Sequence, residues 1–195
     1  MSAGFLSVLS QAQRYVSDRA RVGEPVIDAT AGNGVDTLFL ARLVGSNGKV
    51  FAFDVQAAAL ERTRARLSVA ASAGDRIAPA ELLLAGHEEM SALIPPEYHG
   101  RIAAVMFNLG YLPGAEKKLV TQPDTTLIAL VAALLMLRSG GVLTIVIYPG
   151  HEGGDAEAEA VEHWAETIPP SIGQCVMYRF PQKIQSPYLI AIVKK

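Results

Sequence analysis

Acids and glycines crowd one turn of this 195-residue sequence. The segment Val26-Ile27-Asp28-Ala29-Thr30-Ala31-Gly32-Asn33-Gly34-Val35-Asp36-Thr37 passes from an apolar run into a helical pattern. Gly32 and Gly34 let a backbone turn tightly and approach a ligand with no Cβ in the way. Asp54 follows Gly34 by 20 residues, at the end of the next apolar run. A carboxylate at that spacing can accept hydrogen bonds from both hydroxyls of an adenosine ribose. A plain strand–helix turn followed by a surface Asp would give the same pattern, but the strand before, the helix after and the spaced acid together favour a binding loop.

The loop also bears on which ligand it takes. A dinucleotide fingerprint, Gly-x-Gly-x-x-Gly, would place its third glycine at Thr37. Asp28 and Asp36 flank the glycines, so a pyrophosphate would be brought against like charge, whereas a cationic ligand would be welcomed. S-adenosylmethionine (SAM), with a sulfonium and an ammonium beside its adenosine, fits these acids better than NAD. Gln56, close after Asp54, can reach ribose or adenine, or face water at a helix start. His87, in Gly86-His87-Glu88-Glu89, can hydrogen-bond or stack on the base, or cap the following helix. His87, His99, His151 and His163 show no paired metal-ligand spacing, so no metal is expected.

A second cluster, Met106-Phe107-Asn108-Leu109-Gly110-Tyr111-Leu112-Pro113-Gly114, supplies an amide, a glycine and an aromatic. Asn108 can accept from an amine hydrogen and aim the nitrogen lone pair at a methyl group, while Tyr111 can stack on a base or bond the acceptor. The bland reading is a tied-down turn and a core tyrosine. A third, Tyr148-Pro149-Gly150-His151-Glu152-Gly153-Gly154, puts His151 and Glu152 on a polar loop after an apolar run. A histidine there can take a proton from an amine or contact a phosphate. Lys117 and Lys118 are suited to phosphate contacts, Arg179 and Lys183 to extending a basic rim, and Arg62 and Arg66 read as a solvated helix face.

These residues need elements to position them. Apolar runs predict strands at Pro25–Thr30, Lys49–Val55, Ala80–Ala85, Ile102–Leu109, Val142–Tyr148, Gln174–Phe180 and Pro187–Val193. Helical patterns fall between them, at Val35–Val44, Ala57–Ala71, Glu88–Leu93, Thr125–Leu137 and Ala156–Thr167. The spacing of Phe5, Leu9, Ala12 and Val16 predicts a further amphipathic helix that ends near Gly23 and packs on the core. Alternation of strand and helix implies right-handed crossovers and a parallel sheet. Only Pro181 to Ser186 separate the last two strands, too few for a crossover, so they should form an antiparallel hairpin at the sheet edge. The expected fold is α/β: one Rossmann-like domain over residues 1–195, with a seven-stranded, mostly parallel sheet and helices on both faces. That is the layout of class I methyltransferases, whereas a dinucleotide-binding fold has six parallel strands.

Composition sets outer bounds. With 50% hydrophobic residues, 18% charged and a net charge of -2, the chain is no disordered polymer. Its 17 Lys+Arg against 19 Asp+Glu mean that a nucleic acid would have to meet a local basic patch. The longest apolar run, Leu127–Leu137, has 11 residues, short of the roughly 20 that span a bilayer. Cys175 is the single cysteine and reads as a small buried strand residue; it cannot form an internal disulfide, which suits a reducing, cytoplasmic setting.

Taken together, Asp28-Ala-Thr-Ala-Gly-Asn-Gly with Asp36-Thr, Asn108-Leu-Gly-Tyr-Leu-Pro and Tyr148-Pro-Gly-His-Glu-Gly-Gly resemble a family of small bacterial methyltransferases known as rRNA methylases. The likeness runs from about Ala20 to the C-terminus; the first motif is common to many methyltransferases, the second and third are far more specific. The resemblance implies methylation of the 5-aminomethyl group of the (2-thio)uridine at the tRNA wobble position, with SAM as donor. It implies cofactor contacts at Asn33, Asp36, Asp54, Gln56 and His87, with Asn108, Tyr111 and His151 around the aminomethyl group, and the tRNA anticodon arm as partner. The family loop has histidine where this chain has Val35. The amine would be deprotonated, to water or His151, before attacking the methyl in line. Methyl transfer to rRNA or a small amine, a SAM-binding RNA module without catalysis, and an NAD oxidoreductase remain as alternatives. A homodimer would widen the RNA footprint.

Overall fold

A computed structural model describes residues 4–110, 121–150, 154–183 and 186–195. Strand β1 (Pro25–Asp28) lies inside the sheet and pairs in parallel with β2 (Lys49–Asp54) on one side and β4 (Ile102–Leu109) on the other. The sheet continues outward through β3 (Ala80–Leu84) beyond β2, and through β5 (Leu137–Ile147) beyond β4. The last two strands, β6 (Gly173–Tyr178) and β7 (Tyr188–Lys194), form the expected antiparallel hairpin. Strand β7 inserts against β5, leaving β6 at the edge, so the order is β3-β2-β1-β4-β5-β7-β6. This is the class I methyltransferase layout.

Side-chain alternation along the strands divides the core in two. Ile27, Phe51, Phe53, Val105, Phe107, Leu143 and Ile145 face a layer built from α4 (Met90–Leu93), α5 (Pro123–Met136) and α6 (Gly154–Thr167). Val26, Val50, Ala104, Met106, Val142 and Val146 face the opposite way, against α1 (Val8–Arg19) and α2 (Val35–Val44). Helix α3 (Ala57–Ser72) lies beside α2 and packs on β2 and β3. Strands covered on both faces must be apolar at nearly every position, and β4 is buried from Ile102 to Phe107.

Most element boundaries move by one or two residues, with larger departures at α1, β5 and Cys175. Helix α1 buries Val8, Ala12 and Val16, whereas Phe5 is 86% exposed and Leu9 is also exposed. Ser7 is the N-cap, its hydroxyl accepting from the Ser10 amide, so Phe5 precedes the helix and its spacing carries no helical phase. The helix stops at Arg19 rather than near Gly23, because Ala20 is already extended. Strand β5 starts directly after α5, well before the expected Val142. Gly141 permits this: a Cβ there would stand 3.0–3.1 Å from the carbonyl oxygens of Arg138, Ile102 and Ala103. Arg138, paired with Glu24 at 2.7 Å, pins the early part of β5 to the β1 side. Cys175 corrects the expectation of a buried thiol: it is exposed, because β6 is an edge strand whose residues Gln174–Met177 are exposed on both faces.

Candidate active site

The chain leaves β1 at the carboxyl edge of the sheet and crosses over its neighbours. The Ala29 amide donates to Met106 O and the Ala31 amide to Phe53 O, both at 2.8 Å, which ties the loop to β4 and β2. Gly34, at φ +72°, is the N-cap of α2. A Cβ on Gly34 would lie 2.8 Å from Thr63 Cα, so both the conformation and the closeness of α3 demand glycine. Helix α3 grips the same loop, with Thr63 Oγ1 donating to Gly32 O at 3.3 Å and Arg66 Nε donating to Asn33 O at 2.7 Å.

Asp54 closes this side of the site. Its Oδ2 accepts from the Gly32 amide at 2.9 Å and its Oδ1 from the Gln56 amide at 2.8 Å. A carboxylate has about four acceptor positions, so each oxygen keeps one for a ligand. The structure therefore brings together Gly32, Asn33, Gly34, Asp54 and Gln56, and Gln56 sits at the N-cap of α3 with only its backbone so engaged.

Asp28 lies beneath the loop and is fully buried. Its Oδ2 accepts from Thr37 Oγ1 at 2.6 Å and its Oδ1 from the Thr30 amide at 3.2 Å. It therefore braces the loop from inside. Burial foremost, then the charge of Asp36, pushes its carboxyl up to about 7, against the hydrogen bonds from Thr37 and Thr30.

Asp36, in the first turn of α2, is a meeting point of three elements. Its Oδ1 accepts from Gln13 Nε2 of α1 at 2.8 Å, and its Oδ2 from Asn108 Nδ2 of β4 at 2.7 Å. Burial, and after it the charge of Asp36, raises the pKa of Tyr148, just past β5. The Asn108 amide donates to Thr30 Oγ1 at 2.8 Å, which holds the strand end against the loop. Because a carboxylate only accepts, Asp36 must face the Nδ2 of Asn108, and Oδ1 points elsewhere. That Oδ1 is buried and has no partner among the described residues.

His87 meets the same loop from the Phe107 side, hydrogen-bonded to the Ala29 backbone and within range of the Asp54 charge. It is buried, its ring centroid 5.4 Å from that of Phe107, and alternation along β4 sends Phe107 and Asn108 to opposite faces. Burial lowers its pKa, opposed by the charges of Glu88 and Glu157. Tyr111, His151, Glu152, Lys117 and Lys118 lie outside the described residues. The Arg179 guanidinium stands 5.0 Å over the Tyr188 ring at the same sheet edge. No group of three or more His, Cys, Asp or Glu suited to a metal occurs among the described residues.

Sequence reasoning missed Gln13, which carries no motif and sits in a helix expected only to pack. It also missed the Thr30 and Thr37 braces, although both stand within the quoted loop motif.

Residues 50–194 match the family model described as "Putative rRNA methylase". The chain belongs to this rRNA-methylase family. The match begins at Val50, so α1 and the first glycine loop lie outside it. A chloroplastic tRNA (mnm5s2U34)-methyltransferase of Arabidopsis thaliana is 38% identical over 178 residues, covering 89% of this chain. The chain spans 64% of that relative's length. A crystal structure from Clostridium thermocellum, carrying the rRNA-methylase description, is 36% identical with a TM-score of 0.90 and covers 98% of this chain and 100% of its own. One from Streptococcus mutans, solved in complex with SAH, is 34% identical with a TM-score of 0.85, at the same coverages.

The residues present fit a cationic, adenosine-bearing cofactor. Asp54 keeps acceptor positions for hydroxyls, the glycines leave room for a backbone approach, and Asp36 and Asp54 supply negative charge. This family member thus has a loop that can hold such a cofactor and, next to it, an acceptor that is unpartnered among the described residues.

Proposed function

We propose that this chain is a SAM-dependent N-methyltransferase acting on tRNA, at the 5-aminomethyl group of the wobble uridine. The observation that carries the reading is Asn108 Oδ1, a buried acceptor without a partner among the described residues, fixed beside the Asp36 carboxylate. Such an atom suits an amine N–H. The curated tRNA-methylating relative and the SAH-bound structure supply the substrate class and the cofactor.

Bound SAM supplies a methyl group already activated on a sulfonium. The chain's own work is then placement. Asp54, with the Gly32 and Gln56 amides that hold it, receives the ribose hydroxyls, and Asn33 and Gln56 flank them. Asn108 Oδ1 accepts one N–H of the incoming neutral amine and so directs its lone pair, while Asp36 keeps the Asn108 amide from turning over. Tyr111 and His151 are retained as proposed neighbours of the amine, with His151 or water as the proton acceptor. The anticodon arm is the proposed docking element, a homodimer the proposed assembly and the cytoplasm the proposed location. No helix among the described residues is long and apolar enough to cross a membrane.

The family description favours a second reading, methylation of rRNA. Transfer of labelled methyl from SAM to tRNA bearing 5-aminomethyluridine, run beside ribosomal RNA fragments, separates the two. Label on the tRNA, recovered at the wobble nucleoside, is expected. Label only on ribosomal RNA would replace this reading with the second.

A further inference from the structure

We infer that Gln13, in the N-terminal helix, is a positioning residue for the transfer reaction, keeping the Asn108 side chain in its accepting orientation through Asp36. This rests on the proposed function for what Asn108 receives. It does not rest on it for the geometry.

Asp36 Oδ1 and Oδ2 are each held by one side-chain amide, Gln13 Nε2 at 2.8 Å and Asn108 Nδ2 at 2.7 Å. The three residues come from α1, α2 and the end of β4, and no local sequence pattern links them. Asp36 is only 8% exposed, so few waters can replace a lost donor.

The orientation of Asn108 depends on that contact with Asp36. A primary amide can turn over, exchanging its donor for its acceptor. Against a carboxylate only the donor fits, so Oδ1 is left facing away, where it is buried and unpartnered among the described residues. Remove the Gln13 donor and the Asp36 oxygen it served is buried without a partner. The carboxylate is then free to rotate toward another donor. Once Oδ2 no longer meets Nδ2 squarely, the Asn108 amide can turn over and present its NH2 where an acceptor is needed. Gln13 prevents this without touching the reacting atoms.

Gln13→Met tests the idea, since methionine keeps the length and bulk but has no N–H. The expected loss in kcat on aminomethylated tRNA is about tenfold, below the roughly hundredfold that a 1 Å misplacement of reacting groups costs. Affinity for SAH should stay within about twofold, the split that separates a transition-state effect from uniform binding. In a double-mutant cycle, Gln13→Met should have little further effect on kcat once Asn108→Ala is present, because both act through one carboxylate. Fully additive losses would overturn the proposal.

A second readout needs no substrate. In 15N-labelled protein, the Asn108 side-chain amide protons should exchange with solvent about tenfold faster in Gln13→Met than in wild type, as expected when a protecting bond is lost. Unchanged exchange would overturn the proposal whatever the activity. Absence of methyl transfer by the wild-type chain to any tRNA would instead remove the tRNA reading, and the exchange comparison would decide Gln13 alone.

Discussion

Asp28 ends β1 and Asp54 ends β2, and the two carry opposite kinds of burden. Asp28 is fully buried with a pKa raised to about 7, so between roughly pH 4 and pH 7 the folded chain binds a proton that the unfolded chain has released. The native state is therefore favoured at the acid end of that window and loses stability as pH rises through it, by at most about 1.4 kcal/mol per pH unit. Asp28→Asn removes the titration. The Thr37 hydroxyl can reverse to accept from the new amide, so the contact survives. Urea unfolding at pH 5 and pH 8 should show a smaller difference in the variant than in wild type; an identical difference would mean that Asp28 is ionised throughout. Asp54 is instead engaged by two backbone amides and retains acceptor positions. Asp54→Ala should weaken SAH binding, by about 1.5–3 kcal/mol for each hydrogen bond to a charged group that is lost. Calorimetric titration measures it, and an unchanged affinity would take Asp54 out of the cofactor site.

A buried acid also joins the elements that frame the site. Glu157, in the first turn of α6, is 2% exposed and accepts from Thr121 Oγ1 and Thr126 Oγ1, each at 2.6 Å. Thr121 Oγ1 in turn accepts from the Gly110 amide at 3.0 Å, two residues beyond Asn108. One side chain of α6 thus holds the start of α5 and the end of β4. Glu157→Ala would leave two hydroxyl donors unsatisfied and should cost about 2–4 kcal/mol in urea unfolding. Glu157→Gln should cost under about 1 kcal/mol, because a hydroxyl can reverse toward its NH2; equal losses would show that charge, not bonding, matters. The strands and their helices were legible because each strand is an apolar run that two covering layers require. The glycine loop was legible because Gly34 has no substitute at its φ against Thr63. Glu157 was not, since in sequence it is one acid among several on α6 and no motif sets it apart. Nor was Gln13: periodicity tells which side of α1 is buried, and only tertiary packing tells which polar tip reaches the neighbouring helix. Cys175 misled because a β-strand pattern does not say which strand ends at the edge.

Across the whole molecule, the net charge of -2 conceals a division between the two helical layers. Helices α1, α2 and α3 carry Arg14, Arg19, Arg42, Arg62, Arg64 and Arg66 against Asp18, Asp36 and Glu61, and Asp36 is internal. Helices α5 and α6 carry Asp124, Asp155, Glu157, Glu159, Glu162 and Glu166 with no Lys or Arg. A polyanion is repelled by the second layer and attracted by the first. Arg66 already bonds the glycine loop, Arg64 pairs with Glu61 and Arg42 with Asp75, whereas Arg62 has no such bond among the described residues and lines the groove between α2 and α3 beside Asn33. The solvated-face reading of Arg62 and Arg66 thus sharpens into a proposed RNA-facing layer next to the loop. If tRNA lies along it, Arg62→Glu should weaken tRNA binding about threefold to tenfold and lower the slope of log affinity against log salt by about 1, as for one lost phosphate contact. Glu159→Gln on the acidic layer should leave the slope unchanged. Filter binding across a salt series gives both numbers. A slope that responds to Glu159→Gln and ignores Arg62→Glu would place the RNA elsewhere on the chain.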